Sequence, residues 1–269
     1  MRTPLRVALA AAAALPAPLA AQPVEVARVG YVLGTLEHGG EGAWSDAAEG
    51  TPVAIGDAFR TGPESRARFD FPWMSVAIDS RSLLRLPDAA VLSVVLEQGR
   101  VEPYSPRGSI IKVVTAEASV RGAGRVVVRR DGTRTRVSVL AGRFSVEPPG
   151  QVPLDVPAGQ GLILVGGEPP GPVLDLAPPP GGLRPGIDPG YAQQGEPVLL
   201  EWQGDAPGYR VELLGFDGAE VVLGRDVSQT STSLVLPWLG TFRWRVSALD
   251  ARGLEGLPSE PGSVCVVER

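Results

Sequence analysis

Arg121, Arg125, Arg129, Arg130, Arg134 and Arg136 fall within sixteen residues of one another. Guanidinium groups present planar forks of donors that match the oxygens of carboxylate and phosphate, so such a cluster is a candidate anion or partner site. Asp131-Gly132 lies between Val126-Val127-Val128 and the alternating run Arg134-Thr135-Arg136-Val137, which is a hairpin signal. A hairpin there brings Arg129, Arg130, Arg134 and Arg136 together across two strands, and these four are the candidate binding residues. The competing reading is a solvated strand face, charged for solubility and edge protection. As exposed residues they are expected to contribute little to folding, about 0.5 kcal/mol each or less.

Other chemistry is poorly supplied. His38 is the only histidine and Cys265 the only cysteine, which excludes a disulfide framework within the chain, a cysteine-rich zinc site and most histidine-based catalysis. His38 lies in a glycine-rich, loop-like stretch and reads as a surface residue. Cys265 reads as a small buried hydrophobe in a last strand. Among the carboxylates no spacing singles out a catalytic pair. Asp57, Asp131 and Asp217 each sit beside glycine and read as turn formers. No catalytic residue, metal ligand or cofactor is expected, and the chain reads as no enzyme. Trp44 and Trp73 are the remaining candidates, each either a recognition anchor or a cover over a sheet edge.

The elements that must position the arginines are strands. Gly and Pro make 61 of the 269 residues, only two residues are Met, and Val is a recurrent aliphatic, a composition of short strands and tight turns. Ala67, Phe69 and Phe71 alternate with Arg66, Arg68 and Asp70, and Val76 and Ile78 continue the pattern. Gly34, Gly99 and Gly142 each end an aliphatic-rich stretch, a weak repeat compatible with stacked turns. The expected class is all-β.

Residues 1–21 read as an export signal: Arg2 and Arg6, an apolar run from Val7 to Leu15, and small residues before Gln22. The run is shorter than the ~20 residues that span a bilayer, so cleavage is expected to leave no membrane span. Removing its two arginines takes the net charge from −5 to −7. An acidic chain lacks the basic footprint that nucleic acid requires. The expected location is periplasmic or secreted.

Prolines and glycines from Pro169 to Pro189 divide the chain, giving a first domain over 27–167, a solvated linker over 168–189 and a second domain over 190–269. In the first, Thr61-Gly62-Pro63 through Phe69, Ser75-Val76-Ala77-Ile78, Ser82 to Leu86, Ala118 to Gly122, Asp131-Gly132-Thr133, Val139 to Gly142 and Val156 to Gly161 resemble the bacterial FecR domain. That resemblance implies a β domain, solenoid-like or a twisted sandwich. Its turns depart from the family at Pro72-Trp73-Met74-Ser75 and at Gly122-Ala123. In the second domain, Pro197 to Trp202, Tyr209 to Leu214 and Gly240 to Ala248 are similar to a fibronectin type III or immunoglobulin-like sandwich, with Trp202, Phe242, Trp244 and Val246 directed inward.

The best-known FecR proteins relay signals from outer-membrane transporters to sigma factors and need a cytoplasmic domain ahead of a membrane helix. The chain offers no room for one before its export signal, so that role is not carried over. The expected function is non-enzymatic binding in the bacterial envelope, to a polymer such as peptidoglycan or lipopolysaccharide or to an envelope protein. The alternative is an extracytoplasmic sensing component of an envelope signalling pathway, acting through a membrane partner.

Overall fold

The computed structural model describes residues 25–40, 42–86, 93–105, 108–215, 221–236 and 238–268, and residues 1–21, read above as an export signal, lie outside them. The described residues form twenty-four strands and no helix, so the fold is all-β. Fifteen strands from the first part of the chain share one sheet, and its ladders are antiparallel except where Ser93–Val95 runs parallel to Lys112–Val114. Its core holds Val29, Phe59, Phe69, Ile78, Leu96, Val128, Val137 and Phe144.

Strand Ser93–Tyr104 joins the two halves of this sheet. One side pairs with Leu83–Arg85 and then Ser75–Ile78, the other with Ile111–Val114 and then Ser119–Asp131. The strand changes direction at Gly99, whose φ of 93° suits glycine and whose missing Cβ would lie 2.2 Å from Ser82 Oγ. Past that bend Val101 faces the core while Arg100 and Glu102 face away from it.

The Arg-bearing hairpin forms from strands Ser119–Asp131 and Arg134–Glu147. Its turn lies one residue later than Asp131-Gly132: Asp131 pairs with Arg134, and Gly132-Thr133 make the loop. Of these two only Gly132 has positive φ, 57°, so one left-handed position suffices and Asp131 remains in the ladder.

The second part of the chain packs a three-stranded sheet against a six-stranded one. Trp202 enters between them, edge-on to Tyr209 with centroids 5.4 Å apart and 6.4 Å from Trp244. Val211, Leu213, Phe242, Trp244 and Val246 complete this core, as alternation on their strands requires. Cys265 is only half-buried, because Val264 and Val266 take the inward positions of its strand.

The Pro-rich segment is docked rather than freely solvated. Leu174–Asp175 pairs with the first sheet, Leu176 is buried, and Gly181–Arg184 joins the second body beside Pro197–Gln203. Ala177 accepts a hydrogen bond from the Leu257 amide at 3.0 Å.

Gly124 and Gly142 face each other in the Arg-bearing hairpin, both at positive φ, and a Cβ on Gly142 would lie 2.0 Å from the Ala123 carbonyl oxygen. Gly142→Ala is expected to lower stability by more than the ~1–2 kcal/mol of a left-handed alanine, because the backbone must also separate. Gly150, at φ 70° with open space around its Cα, is the control. Thermal melts of the two alanine variants should differ, with Gly142→Ala the lower.

Candidate functional site

The two β bodies meet through charged faces. On strands Arg66–Asp70, Ser93–Tyr104 and Ser119–Asp131, the residues that alternate with the core include Arg66, Arg100, Glu102, Arg125 and Arg129. On strands Gly208–Leu214, Val221–Val227 and Gly240–Leu249 they include Arg210, Glu212, Asp226 and Arg245. Asp79 and Glu255 complete the set, and most of these side chains are buried.

Arg100 is the hub. Its Nη1 donates to Asp79 Oδ2 at 2.8 Å, its Nε to Glu255 Oε2 at 2.9 Å, and its Nη2 to Glu255 Oε1 at 2.7 Å, Glu102 at 3.0 Å and Glu212 at 3.2 Å. Asp79 also accepts from Arg66 and, across the seam, from Arg210. Arg245 grips Glu212 at 2.8 and 2.6 Å, and Arg125 grips Glu102 at 2.7 and 2.5 Å. Backbone contacts reinforce the seam: Arg66 Nε donates to the Val221 carbonyl at 2.8 Å and Tyr31 Oη to that of Val222 at 3.1 Å. Among the described residues, this seam sets six guanidiniums against five carboxylates, so its charge is nearly balanced.

Such pairing is what makes the burial tolerable, since an unpaired ion loses its hydration with no return. Burial alone would raise the Asp79 pKa, yet Arg210, Arg66 and Arg100 outweigh it and bring the carboxyl down to about 2. Burial likewise works against the charged forms of Glu102, Asp226 and Glu255, but adjacent arginines hold all three below the usual carboxylate range. Glu212 goes the other way: burial and then the neighbouring Glu102 raise it more than Arg100 and Arg210 lower it.

Of the four arginines expected to form a binding face, Arg129 is a seam residue. It donates to Asp226 at 2.6 and 3.1 Å and to Glu255 at 3.0 and 3.2 Å, so the expectation that it contributes little to folding does not hold. Arg130 donates to Glu117 at 2.8 and 3.1 Å, beside Thr135, which shares that carboxylate. Arg136 is cross-strand partner to Arg129, and its Nε donates to the Arg252 carbonyl at 2.6 Å. Arg134 is exposed at the hairpin end. Arg129, Arg130 and Arg136 line a cleft of about 470 Å³ along the seam, with Arg81, Arg100, Arg210 and Arg225; Arg134 does not. Seven arginines and the four carboxylates of Glu64, Asp79, Asp131 and Asp226 line the cleft, and Glu102, Glu117, Glu212 and Glu255 pair with Arg100, Arg129 and Arg130 from behind it.

The other candidates sit apart. His38 lies on strand Leu36–Gly39 rather than in a loop, stacked on Phe59 at 4.9 Å with its Nε2 3.0 Å from Asp57. Asp57 also accepts from the Ala54 amide at 2.7 Å, the contact expected of a turn former. Arg60 lies 4.4 Å over the Trp44 ring, and Trp73 is exposed. Asp217 lies outside the described residues.

No family model matches this chain and no curated protein is similar to it. Two solved structures of a putative anti-sigma factor from Parabacteroides distasonis ATCC 8503, at 1.65 and 2.50 Å resolution, are similar at 17% identity with a TM-score of 0.37, covering 44% of this chain. The match spans 57% of the length of those proteins, and a likeness at that level assigns neither a family nor a function to this chain.

Asp79→Asn leaves three buried guanidiniums without their shared anion and is expected to cost ~3–5 kcal/mol, read as a lowered midpoint in urea unfolding. In the parent, Asp79 has a folded pKa of about 2 against an ordinary value of 3.8, so its contribution is complete above pH 3.8 and lost as pH falls toward 2. Glu212, raised on folding, partly offsets this by shedding its penalty on protonation. Unfolding midpoints between pH 7 and pH 2 should therefore fall below about pH 4, and the fall should be smaller in Asp79→Asn.

Proposed function

We propose that this protein is an exported, non-enzymatic interaction module of the bacterial envelope, a FecR-like domain held against a fibronectin type III-like sandwich. Its partner is an anionic envelope polymer or protein. The observation that carries this reading is the arginine-lined cleft at the junction: a recess in an acidic chain where Arg81 and Arg136 have no ion pair among the described residues, walled by both bodies and backed by buried charges. Recesses of this size hold ligands with a few convergent polar groups, and guanidiniums select oxyanions. The sequence of residues 1–21 supports an extracytoplasmic location for that encounter.

Co-sedimentation tests the reading. Purified protein starting at Gln22 should pellet with isolated peptidoglycan sacculi or with outer-membrane fragments at low ionic strength, and should be released as salt rises, because screening shortens the range of attraction to about 8 Å at physiological ionic strength. Protein that stays in the supernatant with both fractions at low salt would overturn it.

A further inference from the structure

Two left-handed residues mark the rim of the seam cleft. Glu64, at φ 50°, and Arg81, at φ 54°, are the only non-glycine residues with positive φ among the described residues, and both line this one recess. A side chain held in that conformation costs about 1–3 kcal/mol where glycine would sit freely, and such strain gathers at ligand sites. The loops are held in place: the Arg81 amide donates to the Gly62 carbonyl at 3.0 Å and the Glu64 amide to Ser80 Oγ at 3.0 Å.

The charges on this rim are also uncommitted. Most arginines lining the cleft are engaged by carboxylates behind it, but Arg81 and Arg136 have no carboxylate within ion-pairing distance among the described residues. The Nε of Arg136 is taken by the Arg252 carbonyl, which leaves its terminal amino groups as donors. Burial first, and then the adjacent Arg134 and Arg129, lower its pKa against the opposing pull of Asp131 and Asp250. Asp131 has no ion-pair partner among the described residues, Glu64 meets only Arg225 at 3.4 Å, and Gln98 and Ser80 share the wall, so acceptors for hydroxyl groups flank the guanidiniums.

We propose that the seam cleft binds a phosphorylated sugar, with Arg81 and Arg136 receiving the phosphoryl group and Glu64, Asp131 and Gln98 receiving sugar hydroxyls. This rests on the cleft being the binding surface, and it names the ligand class: a sugar phosphate, either free or as the headgroup of a glycolipid. A phosphoryl group offers three terminal oxygens to the guanidinium donors, one more than a carboxylate.

Calorimetry of the parent with glucosamine 1-phosphate, with glucose and with inorganic phosphate reads the two halves of the site. The sugar phosphate should bind at least about tenfold more tightly than either fragment. Vesicles of phosphatidylcholine with and without lipid A distinguish a headgroup from a free solute. Arg81→Gly relieves the backbone while removing the guanidinium, so it should keep or raise the melting temperature and weaken binding about ten- to hundredfold. Arg136→Ala should weaken binding similarly, whereas Arg134→Ala, two residues away and outside the cleft, should not. The proposal is overturned if the parent binds no sugar phosphate, if inorganic phosphate binds as tightly, or if Arg134→Ala is as damaging as Arg81→Gly. Sedimentation of the same variants separates the two readings. Envelope binding that survives with no sugar-phosphate affinity refutes the site alone, and sugar-phosphate binding without envelope retention refutes the envelope role alone.

Discussion

The position of one β body against the other depends on Arg100. Its guanidinium reaches Asp79 and Glu102 in the first body and Glu212 and Glu255 in the second, so its five hydrogen bonds go to carboxylates from both sides. A charge so buried fits only where its partners arrive in the right geometry, because the lost hydration must be replaced by hydrogen bonds. An apolar seam would permit sliding at little cost. This one fixes a register, since moving either sheet by one residue would present core side chains to buried ions.

The same constraint explains why the second faces of both sheets are legible in sequence yet misread. Alternation identifies the strands and their inward residues correctly at Phe69, Val137, Trp202, Trp244 and Val246. It places Arg66 on the opposite face of its strand and reads Arg129 as exposed, because a charged face of an antiparallel sheet normally meets water. Here the two charged faces meet each other. The signal was present as carboxylates at matching alternate positions, Glu102 beside Arg100 and Glu212 beside Arg210, mixed signs on one face rather than a single-sign surface. What a single sequence lacks is the pairing between strands more than a hundred residues apart, as between Arg100 and Glu255. The turn at Gly132-Thr133 was misplaced by one residue for a local reason: Asp-Gly fits a hairpin with two left-handed residues, and this hairpin uses one.

The arginine hairpin shows how one element serves both purposes. Register places Arg129 opposite Arg136, and two like charges directly across a ladder repel. Arg129 is neutralised by Asp226 and Glu255 from the second body, whereas Arg136 donates to the Arg252 carbonyl there and forms no ion pair with it. The second body therefore quenches one member of the pair and leaves the other facing the cleft. An arginine cluster read from sequence as a single face is divided in the fold between an interior clamp at Arg129 and a recess wall at Arg136.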